Sequence, residues 1–99
     1  MIQKYINSLY GKTYKILPIY EEKPEDIKIY AHGLAVEMLG ATSTFPALQE
    51  EKYYIDIINI INFFANNDCD HFTCRKQIFR CRDLLNKLSL ELTESNKEV

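Results

Sequence analysis

The sequence predicts an all-α protein, a small antiparallel bundle of about four helices. Three observations carry that expectation. The chain has 99 residues, enough for one hydrophobic core and too few for two. Its apolar residues recur at helical spacing over most of its length. The few prolines and glycines fall mostly between the periodic segments, where they act as punctuation. With no internal repeat and no linker, residues 1–92 read as a single helical domain, and the polar stretch 93–99 as a frayed tail with little to bury.

The first segment places Ile2, Tyr5, Ile6, Leu9, Thr13, Ile16 and Leu17 at helical spacing up to Pro18. Gly11 interrupts it at about 1 kcal/mol relative to Ala. Because proline disfavours α geometry in the residue before it, Leu17 is the expected limit. Helix is favoured through Tyr10, and beyond it the alternative is a short strand with Tyr14 and Ile16 alternating against Thr13 and Lys15. In the second segment the acidic run Glu21 to Asp26 holds Pro24, which suits a first helical turn, where its missing N–H is not needed and carboxylates meet the positive dipole end. Ile27, Tyr30, Ala31, Leu34, Ala35 and Met38 then form one apolar face. Gly33, with Ala31 and Ala35, is expected to permit a close helix contact. Gly40 is the expected stop, and Ala41 to Pro46 a connection.

The third segment is the most informative. From Asp56 to Phe64 a polar residue stands at every third position. A strand would scatter Asp56, Asn59 and Asn62 over both faces, whereas a helix gathers Tyr53, Tyr54, Ile57, Ile58, Ile60, Ile61, Phe64 and Ala65 on one broad arc. Asn66-Asn67-Asp68 ends it. The last segment opens on Asp70 or Thr73 as N-cap. Cys74, Ile78, Cys81, Leu85, Leu88 and Leu92 follow a heptad-like line, the spacing of a helix lying along a partner. The last two segments should form a hairpin at the centre of the bundle.

Composition excludes several classes. At 46% hydrophobic, 26% charged, three Gly and three Pro, disorder and collagen-like repeats are ruled out. A formal net charge of −2 rules out a uniformly basic nucleic-acid coat. No run approaches the ~18 apolar residues of a membrane span, and Gln3, Lys4, Asn7 and Ser8 break up the first ten residues. Three cysteines without an export signal read as reduced thiols. A cytoplasmic protein that does not enter membranes is therefore expected.

Chemistry-bearing residues are few. Cys69, His71 and Cys74 look at first like zinc ligands, with Cys81 beyond them. Cys74 and Cys81 lie about 10.5 Å apart along one helix, however, and cannot share an ion or a disulfide without unwinding it. With Asp70 as N-cap, Cys69 and Cys74 fill the two positions of a hydrophobic staple, and Cys81 is a small core residue. Neither metal nor other cofactor is expected. A Cys–His pair would still need an orienting group and an oxyanion site, and three scattered glycines build no phosphate loop. The chain is read as a non-enzyme.

The back of the last helix stands out. With Cys74 at 0°, its heptad line stays within about 40°, whereas Phe72 and Phe79 fall near ~150°, among Arg75, Lys76, Arg80, Arg82 and Lys87. Residues 71–88 hold these five cations and one acid, Asp83, a local charge of +4 against −6 for the remainder. The candidate partner-binding residues are Phe72, Arg75, Lys76, Phe79, Arg80 and Arg82. Aromatics among arginines suit a protein-binding hot spot, and equally nucleic acid. Alternatively the first helix packs over Phe79 and makes it a second core face. Phe63 is similar in kind, falling within the polar arc of the third helix; if both rings are exposed, an interface explains them. The seven tyrosines are expected to line the rim of the core with their hydroxyls in water.

Three stretches, Ser8-Leu9-Tyr10-Gly11-Lys12-Thr13-Tyr14, Thr44-Phe45-Pro46-Ala47-Leu48 and Cys74-Arg75-Lys76-Gln77-Ile78-Phe79, resemble short proteins of phages and mobile elements in Gram-positive bacteria. The resemblance implies an accessory protein, in a setting where small helical regulators and inhibitors of host defence systems are common, and assigns no residue a role. The expected function is accordingly the binding of a macromolecular partner, a protein first and nucleic acid as the alternative; self-association is compatible with either.

Overall fold

The computed structural model describes residues 2–97, with side chains through Leu92. Among these the chain is helical and contains no strand: α1 (Ile2–Tyr14), α2 (Ile16–Glu22), α3 (Ile27–Thr44), α4 (Lys52–Asn66) and α5 (His71–Lys97). α1 and α2 are one helix with a kink, so the architecture is the expected small all-α bundle of four helices. The side chains of 93–97 and residues 98 and 99, which include most of the polar tail, lie outside the described part.

Pro18 does not end the first helix, as the spacing predicts, but bends it. The proline has no N–H for the Tyr14 carbonyl and crowds that oxygen. α1 stops at Tyr14, and α2 restarts with Pro18 in its first turn. Lys15 stays in α geometry between them, its N–H donating to the Gly11 carbonyl at 3.0 Å. Pro24 opens a single 3-10 turn, Pro24–Asp26, that leads into α3. α3 runs past Gly40, which has no positive φ, to Thr44. The stop is Pro46, which holds Phe45 at φ −124° and ψ 81°, out of the α region; Ala41 to Thr44 are helix and not connection.

α4 begins at Glu51, whose carboxylate accepts from the Tyr53 N–H at 3.4 Å. It ends at Asn66, with Asn67 extended. Asp70 caps α5: its carboxylate accepts from the Thr73 N–H at 2.7 Å, and the Thr73 hydroxyl first, then this N–H, hold the carboxyl below its ordinary value of 3.8. The cap brings Cys69 and Cys74 to the staple positions, Cys74 fully buried and Cys69 packed against the core.

α4 packs against both α3 and α5, α1 packs along α5, and Tyr5 and Lys12 of α1 reach Tyr54 of α4 and Glu37 of α3, which closes the bundle. Tyr54 donating to the Met38 carbonyl and Lys28 paired with Asp68 at 3.2 Å set α3 and α4 antiparallel. Gln3 on Ser89 and Tyr10 on Asn86 do the same for α1 and α5. The core takes Ile6 and Leu9 from α1, Met38 from α3, Tyr54, Ile57, Ile61 and Phe64 from α4, and Ile78, Leu85 and Leu88 from α5, all fully buried.

The tyrosines differ from expectation. Tyr54 is fully buried, and its hydroxyl meets that of Tyr5 at 3.3 Å. Burial first, and then that bond, push its ionisation far up. Tyr10, Tyr20 and Tyr30 bond Asn86, the Cys69 carbonyl and the Lys12 carbonyl. Five hydroxyls thus join one element to another instead of resting in water, each such bond contributing about 1 kcal/mol. Gly33 differs too. It is exposed, and a Cβ there would meet nothing within 4 Å, so it mediates no close contact inside the chain.

Candidate functional site

α5 is held along one flank by α1 and along the other by α4, which leaves its outer ridge uncovered. The six expected residues divide over that ridge. Phe72, 74% exposed, and Lys76 lie on the crest. Arg75, Phe79 and Arg82 slope towards α1. Arg80 slopes towards α4, where it lines a shallow groove of about 290 Å³ with Asp56, Asn59, Ile60, Phe63 and Gln77. All six share one helix face, but Arg80 is set apart from the Phe79 cluster.

That cluster follows from helical spacing. Arg75 and Arg82 stand four residues before and three after Phe79, and both guanidiniums lie over its ring, at 5.6 and 5.5 Å from the centroid. Tyr14 of α1 meets the ring edge-on at 6.1 Å. Phe79 is therefore half-buried, and the first helix covers it only in part. Phe63 is also half-buried, edge-on to Phe64 at 5.7 Å, so neither ring alone calls for a partner. What does stand uncovered is charge. Arg75, Lys76, Arg80, Arg82 and Lys87 have no ion-pair partner among the described residues. Holding two guanidiniums on one ring sets like charges close together, against about 0.5–1 kcal/mol gained per exposed cation–π contact. An acidic surface would relieve that repulsion.

Sequence reasoning missed Leu90. It is 63% exposed and stands about five full turns from Phe72, on the same crest. The ridge thus carries an exposed apolar side chain near each end, about 27 Å apart. The signal was there, since Leu90 falls off the heptad line that Leu85, Leu88 and Leu92 follow.

The remaining chemistry-bearing residues are His71 and the three thiols. His71 turns towards α2, stacking on Tyr20 at 5.5 Å with its Nε2 3.6 Å from Glu21. Among the described residues no group of three or more His, Cys, Asp or Glu side chains could hold a metal ion. Burial pushes all three thiols up, that of Cys74 to about 11 and that of Cys81 to about 12, so they are protonated at neutral pH, where the thiolate is the nucleophile. Alkylation of the native protein is expected to label half-buried Cys69 first, with Cys74 and Cys81 reacting only after denaturation. Peptide mapping of a timed iodoacetamide reaction checks this, and early labelling of Cys81 would contradict the packing.

No helix among the described residues is long and apolar enough to cross a membrane. Compared with known proteins, the chain matches no protein-family model, no curated protein and no solved structure.

Proposed function

We propose that this chain is a non-enzymatic helical protein that docks the ridge of α5 onto an acidic surface of a protein partner. One observation carries the reading: the Arg75–Phe79–Arg82 cluster presents two unpaired guanidiniums, held in place by a ring that is itself fixed by Tyr14. Side chains ordered in the free protein lose less entropy on binding, and arginine and aromatic anchors dominate hot spots. Phe72 and Leu90 supply the apolar contacts near either end. In biological terms the proposal is an accessory protein of the phage and mobile-element kind that its short stretches resemble, acting as a regulator or inhibitor of a host defence system in the cytoplasm.

Nucleic acid is the second reading, favoured by the five unpaired cations and by the exposed ring of Phe72, but not by Phe79. Stacking on bases needs a free ring face, and the Phe79 ring already carries two guanidiniums and a tyrosine edge.

Affinity capture from a Gram-positive lysate, with and without nuclease, compares the wild type with a Phe72→Ala/Arg82→Glu double variant. A protein that survives nuclease and is lost with the double variant is the expected result; circular dichroism should be unchanged, since both side chains are exposed. Identical capture by both proteins sinks the proposed face. A gel shift of DNA or RNA that fades steeply with salt would move the assignment to the second reading.

A further inference from the structure

α3 is apolar on its outer side as well as its inner, with His32 the one exposed polar side chain among the outward residues Ile29 to Gly40 apart from Glu37. Its inner side buries Ile27, Ala31, Leu34, Ala35 and Met38. Its outer side carries Ile29, Val36 and Leu39, 76, 56 and 55% exposed. Lys28 and Glu37 are its only charged residues, and both are engaged on its flanks, with Asp68 and Lys12. A helix that turns this little polar surface outward is normally covered on every side. The antiparallel register of α4 also brings Ile55, 42% exposed, level with Leu39. The uncovered apolar surface therefore spans two helices.

We infer that this face is where two copies of the chain pair, antiparallel, about a two-fold axis. α3 is about 27 Å long, and two neighbouring helices span about 18 Å. The face thus offers on the order of 500 Å² per copy, or about 1,000 Å² over a dimer, which is the lower bound for a specific interface and the upper range of what monomers leave exposed. Shape singles out a second copy as the occupant. Along the outer line Ile29, Gly33, Val36 and Gly40 alternate large and small. A two-fold axis between positions 34 and 35 reverses that order, setting each Ile29 over the other copy's Gly40 and each Val36 over the other copy's Gly33. A symmetric interface must be complementary to itself in this way, with side chains entering holes on the facing helix. Nothing inside the chain approaches within 4 Å of a Cβ built at either glycine, so internal packing does not account for them. Charge points the same way: self-pairing through the α5 ridge would oppose like cations, whereas this line carries no charge.

Sedimentation velocity on the full chain over a concentration series tests the inference. The wild type should pass from monomer to dimer, with a dissociation constant in the micromolar range or weaker for so small an interface. Val36→Glu places like charges beside the axis and should weaken pairing about a hundredfold or more while the helical circular dichroism is retained. Gly33→Leu should fill the hole and weaken pairing as well. Arg82→Glu, on the other face, should pair like the wild type. A chain that stays monomeric at every concentration overturns the inference, as does a Val36→Glu variant that still dimerises.

Discussion

Phe64→Ala is expected to destabilise the protein by about 3–5 kcal/mol, the cost of removing a fully buried phenylalanine and leaving a cavity. Phe64 has no exposed surface and sits on α4, which is held between α3 and α5. With packed helices on both sides, the site has little room to collapse, which places it towards the upper end of that range. A domain of this size is stable by only about 5–15 kcal/mol, so the variant should be partly unfolded or close to it. Urea titration followed by circular dichroism should show the midpoint falling by roughly a third or more at unchanged slope. Phe72→Ala is the internal control: the same chemical change at a largely exposed ring should stay within about 0.5 kcal/mol. Equal effects at the two positions would mean that α4 is not the centre of the bundle.

The centrality of α4 was legible in its polar residue at every third position, because a buried helix must collect its polar side chains on one narrow strip. The start of α5 was equally legible, since a cap and a staple are local and Cys69-Asp70 through Cys74 contain every atom they need. The end of α3 was not. Gly40 looks like a stop to any reading that takes glycine as punctuation, yet a glycine ends a helix only when the chain adopts positive φ there, and here it does not. Proline acts through its own geometry, which is why Pro46 sets the true end and Pro18 leaves a kink. The bonds of the tyrosine hydroxyls were hidden because each joins residues 16 to 76 positions apart, a pairing that no local pattern carries.

The site was legible by the same measure. The spacing of Arg75, Phe79 and Arg82 places them on one helix face whatever surrounds them, whereas the approach of Tyr14 depends on the kink at Pro18 and could not be read from α5 alone. The outer face of α3 was missed for a different reason. The arc from Ile27 to Met38 already meets the requirement for a core, and single apolar residues on a helix surface such as Ile29, Val36 and Leu39 are ordinary in a sequence until the fold shows that nothing covers them.

Replacing Gly11, Gly33 and Gly40 together by alanine is expected to raise stability by about 2 kcal/mol. Each glycine lies inside a helix without positive φ, and an added Cβ meets open space. A compatible Gly→Ala change recovers about 0.5–1 kcal/mol, chiefly by narrowing the unfolded ensemble. The sites are independent, Gly11 on another helix and Gly33 and Gly40 about 10 Å apart along α3, so the gains should add. For a domain of about 100 residues the thermal midpoint should rise by roughly 10 °C, measured at a concentration where the chain is monomeric. No rise would mean that one of the glycines is needed in a conformation other than helix. The separate changes discriminate further. Gly11→Ala should stabilise without affecting pairing, because Gly11 lies on α1. Gly33→Ala with Gly40→Ala should stabilise the monomer and weaken the dimer together, since each added methyl fills part of the hole that the facing Val36 or Ile29 enters. Opposite signs from one pair of methyl groups are hard to obtain from a merely structural role, because a monomer that packs nothing against these positions has only something to gain from alanine there.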